Sequence, residues 1–251
     1  MTMNELLLIS LGTGLTTVLG VFVTLVAGLP GRRLMAFYLG MSAGIMALVI
    51  LVDLLPAALR GREWYGVLLG VSVGVLLLHL LHHMMGRHGS SSAHAGSLLD
   101  VERTSVSWRG AGWLMAAALA FHHIPEGAAI GAGFQAHHHA GTMIALSMSL
   151  HNIPEGIGLA APFLLGKMRR RFILLLGFAI SLCIPLGAWL GGIYFAASPA
   201  SVTFGMSFAV GAMAYLVWKE LGPTGLALDR LSAQGGMLVS LLAMVLLHVL
   251  M

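Results

Sequence analysis

One short motif occurs twice in the sequence, and its residue types are those that bind metal ions. The two copies are His122-His123-Ile124-Pro125-Glu126-Gly127 and His151-Asn152-Ile153-Pro154-Glu155-Gly156. Residues four apart lie on one face of a helix, so each copy presents one imidazole and one carboxylate to the same point. Two such helices side by side supply a mixed nitrogen and oxygen set. That set suits zinc, or its borderline neighbours iron, manganese and cadmium, better than calcium or copper(I).

The composition of the chain makes a lipid bilayer the expected surroundings of both motifs. Hydrophobic residues make up 58% of the 251 residues and charged residues only 9%, too few to cover a protein of this size in water. A carboxylate at the centre of a bilayer costs roughly 2.5 to 3.5 kcal/mol. Two duplicated acids inside apolar runs therefore indicate a bound cation. The net positive charge reflects few acids, so no nucleic-acid partner is expected.

Eight apolar stretches of the length that a bilayer requires predict an all-α, polytopic membrane protein. They cover residues 5–27, 34–56, 64–85, 111–134, 140–163, 172–195, 201–221 and 233–251. The motifs lie in spans 4 and 5. A Gly-, Ser- and His-containing connection at about 86–110 is predicted to be a flexible loop, and residues 1–251 are predicted to form a single transmembrane domain.

Basic residues in the connections predict the orientation. Those on one side are Arg32, Arg33, Arg87, Arg103, Arg109, Lys167, Arg169, Arg170, Arg171, Lys219 and Arg230, against Arg60 and Arg62 on the other. By the positive-inside rule, both termini face outward and the 86–110 loop is cytoplasmic.

A second repetition relates spans 2 and 7. Gly44-Ile45-Met46-Ala47 precedes Asp53-Leu54-Leu55-Pro56, and Gly211-Ala212-Met213-Ala214 precedes Glu220-Leu221-Gly222-Pro223 at the same spacing. The two spans run in opposite directions, as do the motif spans 4 and 5. Such pairs are typical of an inverted repeat about a pseudo-two-fold axis in the membrane plane, with a binding site near the midplane.

Other polar residues have smaller predicted roles. Asp53 and Glu220 lie near the predicted C-terminal ends of their spans, where the helix dipole disfavours an anion, so a role in metal access or release is predicted for them. The histidines in and just before the loop are expected to buffer metal weakly, and so is an outer trio. They are His79, His82, His83, His88 and His94, and His137, His138 and His139. His248 and Cys183 are expected to be packing residues.

Two classes of function fit these features. A transporter needs ligands at the midplane and alternating access, whereas an intramembrane metal hydrolase needs three protein ligands, a bound water and a general base. The sequence has no His-Glu-x-x-His motif, and the inverted repeat favours transport.

The paired His-x-x-Pro-Glu-Gly sextets on spans 4 and 5 resemble the ZIP family (Zrt-, Irt-like proteins) of divalent metal transporters. The resemblance is to the bacterial branch, which implies the bacterial inner membrane, and it covers essentially the whole chain. It implies a 3+2+3 arrangement of helices, one bundle that slides against the other, frequent dimers, and divalent metal as substrate. Carried over by position, the primary ligands are His122, Glu126, His151 and Glu155. His123 and Asn152 lie beside them, and Met46 approaches from helix 2.

Two positions depart from that family's pattern. Many relatives have Asn where this chain has His123, and Glu where it has Ile184, and both positions help to build a second metal site in two-metal members. A neutral imidazole cannot balance a second dication, so the sequence favours one tightly held metal over two with altered ligands.

Overall fold

The fold is described from a computed structural model, which covers residues 2–60, 63–88, 108–194 and 198–250. Eight long helical segments and no strand occur within these ranges. They are α1 Met3–Ala27, α2 Arg32–Arg60, α3 Trp64–His88, α4 Trp108–Ala136, α5 His138–Leu165, α6 Arg170–Tyr194, α7 Ala200–Leu228 and α8 Arg230–Leu250. This confirms the all-α polytopic fold that the sequence predicts.

Five of these helices are long and apolar enough to cross a membrane by length and composition alone. They are α1, α2, α6, α7 and α8, and α3 contains a shorter apolar helix at Trp64–Leu80. The other two long helices are α4 and α5, whose hydropathy is lowered by the His, Pro and Glu residues of the motifs. The helices with the candidate ligands are thus outside the set that length and composition alone identify as membrane spans.

Two helices pass beyond the point where the sequence predicts an end. The sequence predicts that span 7 ends at residue 221, but α7 continues through Pro223 to Leu228. A proline cannot donate to the carbonyl four residues back and its ring clashes with that carbonyl. In α7 a wide π-helical turn at Val217–Leu221 relieves this conflict, and α2 has the same device at Val49–Leu54, just before Pro56.

The role predicted for Asp53 and Glu220 rests on their lying near helix ends, and the structure shows that they do not. Asp53 and Glu220 lie inside continuous helices, within the π-helical turns, and not at helix ends where the dipole acts. In the first turn the Leu55 N–H bonds to the Ile50 carbonyl, five residues back. Wide turns of this kind are rare and often mark functional positions, and here both copies of the second repeat have one.

The helices form two bundles of four. In the central bundle α1 packs along α5, α6 along α4, and α4 along α5; in the flanking bundle α3 packs along α7, and α2 along α8. The bundles meet where α4 contacts α7 and where α5 contacts α2. The set of contacts is unchanged when α1, α2, α3 and α4 are exchanged with α6, α7, α8 and α5. This is the 3+2+3 inverted repeat expressed in packing.

The glycine that ends each motif lets the motif helix pack directly against the backbone of its neighbour. A Cβ on Gly127 would overlap the Ile184 carbonyl of α6, and a Cβ on Gly156 would overlap the Thr17 carbonyl of α1. Small residues permit such contacts between membrane helices. The central bundle therefore holds both motifs at fixed depth against α6 and α1.

The predicted 86–110 loop lies mostly outside the described residues. Its first and last residues belong to helices, because α3 extends to His88 and α4 begins at Trp108, and residues 89–107 are not described. His79 and His83 lie on α3, where their rings stack at a centroid distance of 6.5 Å.

Candidate metal centre

The two motifs meet at the contact between α4 and α5, in the interior of the central bundle. Both helices continue through the motif prolines, Pro125 and Pro154, without a break. Four side chains converge there, each with one ligand atom within 4.8 Å of the others. They are His122, Glu126, His151 and Glu155, and all four are buried.

The contacts within this group run between imidazole nitrogens and carboxylate oxygens. Glu126 Oε1 lies 2.7 Å from His122 Nε2 and 2.9 Å from His151 Nε2. Glu155 Oε1 lies 3.1 Å from His122 Nε2 and 3.6 Å from His151 Nε2. Each carboxylate therefore faces both imidazoles, one from its own helix and one from the other.

These separations match the edges of a zinc coordination shell. Ligand atoms bound tetrahedrally at about 2.0 to 2.1 Å from zinc are separated from one another by roughly 3.3 Å. The four nitrogen–oxygen distances run from 2.7 to 3.6 Å. All ligand atoms of the cluster lie within 4.8 Å of one another, so the group is compact enough to surround a single ion.

Several polar atoms of the cluster are buried without a hydrogen-bond partner. His122 Nε2 is close to both carboxylates but is not aligned for a hydrogen bond, and the outer oxygens of Glu126 and Glu155 have no donor. Leaving buried polar groups unpaired is costly, and more so for carboxylates. A dication among these atoms would remove that cost, so the donor set fits a divalent metal.

His123 and Asn152, the second residues of the motifs, make equivalent contacts. Both are fully buried. His123 Nδ1 lies 3.3 Å from the Ile180 carbonyl of α6, and the Asn152 amide donates to the Thr13 carbonyl of α1 at 3.1 Å. His123 therefore ties α4 to α6, and Asn152 ties α5 to α1. The inverted repeat relates α6 to α1, so the two contacts are equivalent. His123 Nε2 also lies 3.4 Å from Glu155 Oε2, so His123 reaches the cluster as well.

Met46 belongs to the largest apolar cluster of the described residues, as do Ile130 of α4 and Met148 of α5. All three side chains are fully buried. Ile130 is one turn after Glu126 and Met148 is one turn before His151, so the apolar cluster covers that end of the site. Ligation by the Met46 thioether stays a prediction.

The remaining solvent exposure is confined to the opposite end. His122 is 5% exposed and Glu155 9%, whereas Glu126 and His151 are fully buried. In each motif the histidine precedes the glutamate along the chain. Because α4 and α5 are antiparallel, His122 and Glu155 lie at one end of the site, and Glu126 and His151 at the other. The two partly exposed ligands therefore lie at one end of the site and the two sealed ones at the other.

Ile184, which stands where many relatives have a glutamate, is fully buried on α6. Its carbonyl faces Gly127, the residue after Glu126, and its side chain belongs to the large apolar cluster. An apolar residue thus occupies the part of α6 that faces the Glu126 end of the motif.

Asp53 lies outside the cluster, on α2, and pairs with a residue that the sequence assigns to packing. His248 Nε2 of α8 lies 3.0 Å from Asp53 Oδ1. The prediction that His248 only packs is therefore wrong, because the pairing of α2 with α8 is not visible in the sequence. Its place near the end of the last span, at the depth of Asp53, was the available signal. The Glu220 side chain lies outside the described residues.

Eight long helices around a buried set of two imidazoles and two carboxylates define a polytopic membrane protein with an internal site for a cation. A protein-family model described as ZIP zinc transporter matches residues 79–249, more than half of the chain. The chain therefore belongs to the ZIP zinc transporter family. A search of curated proteins found no matching relative.

Membership of this family sets the class of function. Its members are transporters of divalent metals and not enzymes, so the alternative of an intramembrane metal hydrolase is set aside. The matched region includes both motifs and the helices α4 to α7 in full.

Proposed function

We propose that this protein moves zinc across the cell membrane toward the cytoplasm, and that the ion binds between α4 and α5. The observation that supports this most strongly is the convergence of two imidazoles and two carboxylates, all buried, from the two copies of one motif. The site's ligands are His122, Glu126, His151 and Glu155.

Zinc is favoured by the chemistry of the donor atoms. Two neutral nitrogens and two carboxylates suit a borderline dication, and the carboxylates neutralise its charge in a medium of low dielectric constant. Iron, manganese and cadmium accept similar ligands and are the alternative substrates. Calcium would require more oxygen ligands than these four side chains provide.

The direction of opening follows from the exposure of the ligands together with the predicted orientation. With both termini outside, α4 runs from the cytoplasmic side outward, so His122 lies nearer the cytoplasm than Glu126, and Glu155 nearer than His151. Only these two cytoplasmic-side ligands retain exposure. This exposure supports a conformation that is sealed outward and reached from within, as at the release step of inward transport.

The two bundles supply the moving parts. Both motifs belong to the central bundle, which contacts the flanking bundle along α4–α7 and α2–α5. Displacement of the central bundle along these two contacts would move the whole site without breaking its geometry. Alternating access about an inverted repeat works in this way in other transporters.

Zinc flux into proteoliposomes containing an internal zinc-sensitive dye tests the proposal. Glu126→Gln and Glu155→Gln keep the side-chain shape but remove one negative charge, and each should lower the initial rate at least about tenfold. Glu63→Gln, an exposed acid between α2 and α3, is the matched control and should leave the rate unchanged. Wild-type rates in both motif variants, at equal protein density, would exclude the assigned site.

A further inference from the structure

The side chains of Asp53 and His248 form a pair outside the transport site. Asp53 lies in the wide turn of α2 and His248 near the end of α8, and the two meet at a distance of 3.0 Å between Oδ1 and Nε2. Asp53 is seven residues beyond Met46, which places it about 10 Å farther along α2 than the apolar cluster that seals the site.

The contact of His248 Nδ1 determines the protonation of Nε2, the ring nitrogen that faces Asp53. His248 Nδ1 lies 2.9 Å from the Met244 carbonyl, one turn earlier on α8. A carbonyl only accepts, so Nδ1 carries the proton and donates it. In the neutral ring, Nε2 is then unprotonated and directs its lone pair at the Asp53 carboxylate, which also offers only lone pairs. Two lone-pair atoms 3.0 Å apart repel, so the contact requires either a proton, on His248 Nε2 or on the Asp53 carboxyl, or a metal cation.

Burial around Asp53 strengthens this requirement. The Asp53 side chain is only 8% exposed, and its second oxygen, Oδ2, is buried without a hydrogen-bond partner. His248 is 28% exposed, so the pair can be reached from outside the protein. A carboxylate with one free, buried oxygen beside an unprotonated imidazole is the beginning of a coordination sphere that water can complete.

The wide turn that carries Asp53 contacts the other bundle. Its residues, Val49–Leu54, pack against α5. Asp53 and His248 belong to the flanking bundle, whereas α5 carries two of the transport-site ligands. The pair thus lies where the two bundles face each other. The apolar cluster that contains Met46 separates it from the transport site.

We propose that Asp53 and His248 form a second divalent-cation site, which holds a borderline dication weakly on the outer side and supplies it to the transport site. Two protein ligands, with water in the remaining positions, give a site that releases its ion readily. The supply role rests on the proposed function and orientation. Binding of the ion to the pair does not, so the two can be tested apart.

Zinc binding to a chain without a transport site tests the pair directly. In the Glu126→Ala, Glu155→Ala background, isothermal titration with Zn²⁺ should still detect a weak ion per chain. Adding Asp53→Asn or His248→Gln should remove that ion or weaken its binding at least tenfold. Glu63→Gln in the same background is the matched control and should not change the titration, because Glu63 is an exposed acid near the same end of α2.

Each result supports or overturns the proposal. Equal zinc binding before and after Asp53→Asn would show that a proton makes the contact between Asp53 and His248, and the proposal would be wrong. If the background variant aggregates, the wild-type chain takes its place, and Asp53→Asn should then bind one Zn²⁺ fewer than wild type. Loss of the pair's zinc with unchanged zinc in the transport site supports this site alone. If Glu126→Ala with Glu155→Ala removes no zinc while Asp53→Asn still removes one ion, the proposed function is contradicted and this inference stands.

Discussion

The two motif carboxylates have different surroundings, although they occupy equivalent positions in the repeat. Glu126 is fully buried, and one of its oxygens is shared by both imidazoles. Glu155 divides its oxygens, with Oε1 toward the two imidazoles and Oε2 toward His123. The difference arises because His123 stands where the other motif has Asn152. A second ion would therefore be bound from the Glu155 and His123 side.

At this scale we predict that restoring two family-like residues adds a second metal. Wild type should hold one tightly bound zinc at the α4–α5 site, since His123 adds a nitrogen without negative charge and Ile184 adds no ligand atom. The double change His123→Asn, Ile184→Glu supplies an oxygen and a charge together, and should add a second, weaker zinc. Metal analysis of purified protein gives the count. Every sample carries Asp53→Asn to remove the outer pair and has His88 and His94 of the 86–110 loop replaced.

The single change His123→Asn is the control for this experiment and should keep the count at one. Because Ile184 packs in the large apolar cluster, correct folding of the double variant is checked by its elution as a single species. A wild-type count of two at the α4–α5 site, with both ions lost in Glu126→Ala, would contradict the prediction.

Residue spacing was enough to predict that four motif side chains converge, because an i to i+4 relation fixes which side chains share a helix face. Their role as metal ligands stays a prediction. Spacing was not enough for contacts between distant residues. The His123 contact with Ile180 joins residues 57 apart, and the Asn152 contact with Thr13 joins residues 139 apart. Both depend on which helices are neighbours, and so does the pairing of His248 with Asp53.

Among the helices, the closest contacts depend on glycine. A side chain on Gly127 or Gly156 would meet backbone atoms of α6 or α1, which cannot move aside as a flexible side chain can. We predict that Gly127→Val and Gly156→Val each destabilise the protein by about 1 to 3 kcal/mol or more through overpacking. Thermal unfolding of purified protein in detergent, followed by loss of the monodisperse species, measures the effect.

Gly12 provides the control for these substitutions. It also lies in a membrane helix, α1, but a Cβ built on it meets nothing within 4 Å. Gly12→Ala should leave the melting temperature unchanged or raise it slightly, because alanine favours a helix more than glycine does. An equal loss of stability in all three variants would show that glycine content, and not close approach, matters.

Helix existence was well predicted by apolar length, and helix ends were predicted less well at prolines. Apolar length predicts that span 7 ends at residue 221, two residues before Pro223. The structure retains the helix by widening the preceding turn. The same event in α2 shows that it is a property of the repeated acid-x-x-Pro sequence, yet nothing in the local residue pattern distinguishes a widened turn from a stop.

For the whole molecule, the repeat in the sequence predicted the inverted symmetry of the helices but not which helices form each bundle. The similarity of spans 2 and 7, and of spans 4 and 5, indicated an inverted arrangement. That α1 and α6 join the motif helices, while α3 and α8 join α7 and α2, follows only from packing. The sequence offers no marker for this choice, because small residues occur throughout the eight helices.

Orientation is a prediction at this scale that the single cysteine makes easy to test. Cys183→Ser gives a chain without cysteine, into which Thr2→Cys or Lys167→Cys is then introduced. With both termini outside, a membrane-impermeant maleimide added to whole cells should label residue 2, and should label residue 167 only after the membrane is opened. Labelling in the opposite order would reverse the orientation and with it the proposed direction of zinc movement.

The central claim is that a divalent metal binds between α4 and α5 to two imidazoles and two carboxylates. Anomalous X-ray diffraction at the zinc edge, from crystals of the zinc-loaded protein, tests it most directly. We predict a strong peak about 2.0 to 2.2 Å from Nε2 of His122 and His151 and from one oxygen of each motif glutamate. Zinc peaks only at other positions, or a peak that neither glutamate contacts, would contradict the account.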